Sequence, residues 1–175
     1  MDEVVIVEYN PHWPLLFAQE AALILKVLNS NLITRIEHFG STAIPGLAAK
    51  PIIDLLVGVR SLTEAKQVAV SQLEALGYAY WVDNPDPQRM FFVKGLPPKG
   101  SGRSHHIHMV EPNNILWDCL LFRDYLRQHP DEAAHYAKLK RHLAQQFSND
   151  REAYTLEKAN YVQAIMQKVR QMRTS

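Results

Sequence analysis

A single carboxylate inside an apolar strand constrains this chain more than any other feature. Ile52 to Val59 (Ile-Ile-Asp-Leu-Leu-Val-Gly-Val) is almost continuously apolar, the pattern of a strand buried on both faces. Asp54 is the one charge within it. A carboxylate there must be paired, bound to a cation, or placed at an open end facing water. Asp54 is therefore the sharpest candidate for chemistry, as a ligand for a cation. The plainer alternative is a buried acid capping a turn, or paired with Lys50 or an arginine. Upstream, Ile33 to Phe39 is apolar and β-branched enough for a second strand. Gly40-Ser41-Thr42-Ala43 follows at once. Such small residues let the backbone approach a ligand, and their N–H and hydroxyl groups can donate to an anion. Gly40, Ser41 and Thr42 are the candidate anion-holding residues, against the reading of an ordinary tight turn.

Strand, hydrophobic-Gly-Ser turn, loop, then a strand carrying Asp: this order resembles the core of the polymerase-β-type nucleotidyltransferases. That resemblance implies phosphates held at Gly40-Ser41 and a metal held at Asp54. It departs from the superfamily at Leu56, where a second carboxylate usually stands two residues after the first, on the same strand face. Leucine cannot bind a metal, which puts two-metal transfer chemistry in question. A longer set of blocks is similar to the GrpB family. It comprises Tyr9-Asn10-Pro11 with Trp13-Pro14, Ile36 to Ala43, Pro45-Gly46-Leu47, Ala49 to Asp54, Phe91 to Gly95, His106-Ile107-His108, and Phe122 to Arg127 with His129-Pro130. These blocks span most of the chain in order. The resemblance implies a nucleotidyltransferase-like fold, and an occasional fusion to dephospho-CoA kinase.

The chain has 175 residues, 47% hydrophobic and 21% charged, enough for one globular domain with a real core. A net charge of +1 gives no broad basic surface for nucleic acid. One cysteine, Cys119, excludes an internal disulfide and fits a reducing compartment. No signal peptide or membrane-length apolar run is visible, so the expected location is cytoplasmic.

Patterning predicts a short β-prone run at Val4 to Val7, then a helix over Leu15 to Leu28 with Pro14 at its first position and Asn29-Ser30-Asn31 at its end. Ser61 and Glu64 have capping-box spacing before a helix that stops short of Gly77. Tyr78 to Val82, Arg89 to Lys94 and Ser104 to Val110 read as strands. Gly95 to Arg103 reads as a mobile loop, able to close over a ligand or merely to link a hairpin. Three helices follow, at about 114–129, 130–147 and 150–171, the last with Asn149 and Glu152 at capping-box spacing. The expected class is α/β (α+β): a small mixed sheet of the nucleotidyltransferase type with flanking helices and a helical C-terminal part. The expectation is one domain over 1–175, with 1–112 as the sheet-containing core and 113–175 as a helical extension.

Strand alternation places His106 and His108 on one face and His105 on the other. Two imidazoles so spaced can share a metal or contact a phosphate. They could stand where the superfamily has a later-strand carboxylate, supplying a ligand or a base. That would move metal preference from magnesium toward manganese or zinc. Glu37 and His38 point to opposite faces, so one of them should face the site. Lys50, Arg89, Lys94 and Arg103 flank the proposed cleft in sequence, with Lys50 first and Arg89 second as phosphate-neutralising groups. Arg123 reads as a structural partner of Asp118 or Asp124. Three apolar stripes read as core: Ile115, Cys119, Phe122 and Leu126; Tyr136, Leu139, Leu143 and Phe147; and Tyr154, Tyr161 and Ile165.

The functional expectation is a cleft for a nucleotide or other phosphate-containing ligand. In it Asp54, His106 and His108 act as catalytic and metal-binding residues, and Gly40, Ser41, Thr42, Lys50 and Arg89 hold the ligand. Nucleotidyl or phosphoryl transfer would go to an acceptor the sequence does not name. A non-catalytic nucleotide- or CoA-binding module, a His/Asp metal hydrolase, and an interaction scaffold on the C-terminal helices are the alternatives.

Overall fold

The computed structural model describes residues 4–28 and 31–174, the side chains of 173 and 174 excepted. Asn29 and Ser30, expected at the end of the first helix, lie outside the described residues. The elements run α1 (Trp13–Val27), β1 (Ile33–Phe39), β2 (Ile53–Val59), α2 (Leu62–Ala75), β3 (Tyr78–Tyr80), β4 (Arg89–Lys94), β5 (His105–Val110), α3 (Cys119–Gln128), α4 (Pro130–Gln146) and α5 (Arg151–Thr174). Among the described residues, no helix is long and apolar enough to cross a membrane.

These elements form two compact units. The sheet unit is His12–Phe39 and Ile52–Trp117; the helical unit takes the chain up to Pro11, Gly40–Pro51, and everything from Asp118. The sequence suggests a cut at 112/113, whereas the helical unit also recruits two segments from the first third of the chain. Part of the reason is a pair of backbone hydrogen bonds, Val7 N to Ala49 O and Ala49 N to Val7 O, each 2.9 Å. They make an isolated antiparallel bridge where the sequence suggests a β-prone run over Val4 to Val7, and Val4 N bonds Ser148 O at 3.0 Å.

In the sheet unit the strand order is β1-β2-β5-β4-β3. β2 and β5 run parallel, and the other neighbours antiparallel. A parallel pair needs a long crossover, which here contains α2, β3 and β4. One sheet face carries Leu55, Val57, Ile107 and Phe92, all fully buried. Burying each such side chain contributes about 1.5–3 kcal/mol. α1 covers that face: the Phe17 ring stacks on His38, 4.7 Å between centroids. Ser61 caps α2 as its spacing with Glu64 predicts, accepting from Glu64 N at 3.3 Å.

Several local expectations shift. α1 begins at Trp13, so Pro14 occupies the second helical position, where its missing N–H also costs nothing. β3 stops at Tyr80, leaving Trp81 and Val82 exposed. The 95–103 connection is closed by Gly102 N to Gly95 O at 3.0 Å and Ser104 N to Lys94 O at 2.9 Å. The first C-terminal helix divides into a 3-10 turn (Ile115–Asp118) and α3, and Ile115 is 73% exposed, not core. Asp150, not Asn149, caps α5, its carboxylate accepting from Ala153 N at 2.9 Å.

The helical unit is built by α3, α4 and α5 around Ile44, Leu47, Phe122, Tyr125, Tyr136 and Ile165. Leu143 and Tyr154 are buried in an adjoining cluster, with Leu139 and Phe147 packed against it. Arg123 donates to Asp124 at 2.7 Å, the structural pairing expected of it, while Asp118 pairs with Arg170. Among the described residues, the exposed large apolar residues of α4 and α5 are Leu156 and Met172, sixteen positions apart.

Candidate functional site

Register decides which side chains meet on the second face of the sheet. Phe39, Asp54, His106 and Val93 form one row across β1, β2, β5 and β4. Glu37, Leu56, His108 and Phe91 form the next. Paired residues share a face, so Asp54 stands beside His106, and His108 stands beside the leucine that occupies the second carboxylate position. Beyond them Gly58 has no side chain, and the Trp117 ring lies over it. A Cβ there would come within 2.9 Å of that ring.

Asp54 is at the centre. Its Oδ1 lies 3.0 Å from His106 Nδ1 and 3.9 Å from His108 Nε2. One ligand-competent atom from each of Asp54, His106 and His108 lies within 4.8 Å of the others. Arg89 approaches from β4, its Nη1 at 3.3 Å from His108 Nδ1. Asn84 steadies Arg89, accepting from its Nη2 at 3.4 Å, and Asp86 is 3.7 Å from its Nε. Burial pushes the His108 imidazole down to about 3; Asp54 opposes the shift, and Arg89 and His106 add to it. That ring is neutral at ordinary pH.

Phe91 and Phe39 wall the cluster. Phe91 lies 5.1 Å from the His106 ring and 4.8 Å from the His108 ring, and Phe39 lies 5.0 Å from His108. In the sequence Phe39 stands out only as the hydrophobic residue before the Gly40-Ser41 turn, and Phe91 only within a family block. The signal existed, since Phe91 is two residues from Arg89 on one strand and shares its face.

Two buried side-chain nitrogens among the described residues lack a hydrogen-bond partner: Arg89 Nε and His106 Nε2. Both belong to this cluster. Buried polar atoms are nearly always satisfied, so two orphans around one carboxylate mark the place where a further group is accommodated.

The other candidates separate. Glu37 lies on the site face, in register with Leu56, and its carboxylate accepts from Arg35 Nε at 2.9 Å. His38 is turned to the opposite face, buried on Phe17. Lys94 is corrected: it also belongs to the opposite face, where its ammonium bonds both oxygens of Glu20 at 2.7 and 2.8 Å. Gly40, Ser41, Thr42 and Lys50 are residues of the helical unit. There Gly40 has φ 71°, a conformation that favours glycine, and Ser41–Ala43 form a 3-10 turn. Arg127 clamps that turn through the Ala43 carbonyl, at 2.7 and 2.9 Å. Lys50 places its ammonium 4.9 Å from the centre of the Tyr154 ring. The structure thus assembles Asp54, His106, His108 and Arg89 within the sheet unit.

Comparison with known proteins matches the GrpB protein family model over residues 3–168. A Pseudomonas aeruginosa protein, UPF0157 protein PA4798, is 48% identical over 165 residues, 94% of this chain and 67% of its own length. A dephospho-CoA kinase of Mycolicibacterium paratuberculosis is 32% identical over 173 residues, which span 42% of that longer protein. The crystal structure of the conserved protein GrpB from Enterococcus faecalis superposes with TM-score 0.86 at 32% identity, covering 98% of this chain and all of that one. Cid1 poly(U) polymerase superposes with TM-score 0.54 at 16% identity, over 80% of this chain and 44% of its own, a likeness of fold alone. A family match running nearly end to end, on a mixed sheet shared with nucleotidyltransferases, makes this chain a member of the GrpB family with a nucleotidyltransferase-like fold.

Proposed function

We propose that the Asp54–His106–His108–Arg89 cluster binds a divalent metal together with a nucleotide or other phosphate-bearing ligand, and supports nucleotidyl or phosphoryl transfer to an acceptor. The observation that carries this reading is the pair of buried, unpartnered nitrogens around a carboxylate that already touches two imidazoles. Asp54, His106 and His108 would hold the metal. One oxygen and two nitrogen donors suit manganese, zinc or a similar ion better than magnesium. Bound there, the ion supplies a Lewis acid for phosphate oxygens. Arg89, a guanidinium with an unpartnered N–H, neutralises and orients the phosphate. Phe91 and Phe39 exclude water from one side, which strengthens both interactions. Gly40, Ser41, Thr42 and Lys50 are proposed as further phosphate-holding residues, a role suggested by the turn's small residues and by charge.

One observation favours a second reading, a binder without turnover. Leu56 is fully buried where the second carboxylate would stand, so a two-metal arrangement has no ligand there. The test is a thermal-shift screen of nucleotides and divalent metals on wild type and Asp54→Ala. Stabilisation that needs both metal and nucleotide, and vanishes in Asp54→Ala, supports the site; stabilisation retained by the variant removes it. Nucleotide turnover then separates transferase from binder.

A further inference from the structure

Protons occupy the cluster in an order that its hydrogen bonds dictate. Arginine has donors and no acceptor, so in the 3.3 Å contact His108 Nδ1 must accept. The proton of His108 then sits on Nε2, the nitrogen that faces Asp54 at 3.9 Å. On the other side the Asp54 carboxylate accepts from His106 Nδ1 at 3.0 Å, so that proton also faces Asp54. A cation ligated by Asp54 and by these two nitrogens has to displace both protons, because a ligating nitrogen must offer its lone pair. His106 can move its proton to Nε2, which is buried and has no partner. His108 cannot move its proton while Arg89 points an N–H at Nδ1.

We infer that Arg89 is a lock on the metal site: its hydrogen bond to His108 holds the imidazole in the tautomer that cannot ligate, and a phosphate-type anion that draws Arg89 away releases it. The inference rests on the metal-and-phosphate reading above and deepens it. Metal and anion then bind with positive coupling, each raising the affinity of the other by the same factor. Arg89 is held by few competing contacts: one 3.4 Å hydrogen bond to Asn84, a 3.7 Å approach to Asp86, and a face-on position 5.6 Å from the Phe91 ring centre. A tetrahedral oxyanion offers its guanidinium stronger, charge-assisted bonds than a neutral imidazole does. Arg89 is a positioning residue in this scheme, acting on the metal through His108.

Two measurements test it. Imidazole NMR on isotope-labelled, metal-free wild-type protein reads each tautomer directly. The expected result is Nε2–H at His108 and Nδ1–H at His106; Nδ1–H at His108 overturns the lock. This arm needs no variant, so it stands even if an Arg89 substitution fails to fold. The second arm is a cobalt(II) titration followed by visible absorption, with and without excess inorganic phosphate. In wild type, phosphate should raise cobalt affinity about tenfold, a usual size for coupled sites. Arg89→Met should bind cobalt without phosphate at least as tightly as wild type does, and phosphate should change its affinity less than about twofold, well below that coupling. Nitrogen-ligated cobalt that ignores phosphate in wild type overturns the coupling and leaves the metal reading intact. No cobalt binding by wild type in either condition overturns both.

Discussion

The two faces of one sheet carry nearly the same polar residue types and treat them in opposite ways. On the α1 side, Glu20 is 5% exposed and every one of its oxygens is engaged. Tyr78 donates to it at 2.9 Å and Lys94 bonds both oxygens, while His105 lies 4.0 Å away. Burial, then the Glu20 charge, holds the Tyr78 phenol protonated well above its ordinary range. On the other side Asp54 also meets two histidines, one of which bonds Arg89, yet two buried nitrogens there have no hydrogen-bond partner. His105 and His106 are consecutive residues of one strand, one in each environment. The difference teaches how to tell a structural network from a site: the first is closed within the protein, the second needs something more to complete it.

The comparison breaks most directly at Lys94. Lys94→Met leaves a buried carboxylate without its cation and should lower unfolding stability by about 3 kcal/mol in chemical denaturation. The double variant with Glu20→Leu should recover most of that loss, because no unpaired charge then remains. If Lys94→Met is neutral, the α1-side network is not holding the fold.

The helical unit supplies a sharper contrast, a buried amine whose contacts are a carbonyl and an aromatic ring. Lys140 is 1% exposed, bonds the Ala48 carbonyl and lies 4.7 Å from the Tyr136 ring centre. Burial, then the charges of Lys158, Arg141 and Lys50, pushes its ammonium down to about 6. In the unfolded chain a lysine stays protonated to about 10.4. Between those values unfolding takes up a proton, so this residue makes stability rise with pH across that window. Lys140→Met should therefore be more stable than wild type at pH 7 by about 1–2 kcal/mol, because wild type gives up a proton from this amine on folding and methionine has none to lose. That advantage should shrink steadily toward pH 10, as urea titrations at several pH values would show. An advantage that grows with pH contradicts a neutral buried amine.

The smallest effect belongs to the open side. Asp54→Asn should change metal-free stability by less than about 1 kcal/mol, since the carboxylate is partly exposed and its neighbours are incompletely paired. With metal and nucleotide present, the same substitution should forfeit the ligand's stabilisation, about 2.7 kcal/mol at a hundredfold excess over Kd. A large loss in the metal-free protein would make Asp54 a structural acid like Glu20.

Much of this was readable before any coordinates. β1 and β4 match the runs Ile33 to Phe39 and Arg89 to Lys94, because short runs rich in β-branched and aromatic residues and bounded by turn signals leave little choice. Alternation alone puts His106 and His108 on one face. The same rule could not say whether Glu37 or His38 joins them, since it separates faces without naming which one is covered. Lys94 and Arg89 look alike in sequence, and five residues on one strand place them on opposite faces. The cap of α5 was off by one because Asn149 and Asp150 are both good caps, and only the helix start decides between them.

Composition and spacing determined the elements, the odd acid in an apolar strand and the family's blocks, because these are local properties of short segments. The meeting of Asp54 with His106, of Leu56 with His108, and of Arg89 with the far nitrogen of that ring came only from strand order and register. The first two depend on parallel pairing between segments about fifty residues apart and the third on antiparallel pairing of β4 with β5, choices made by the packing of the whole sheet rather than by any one strand.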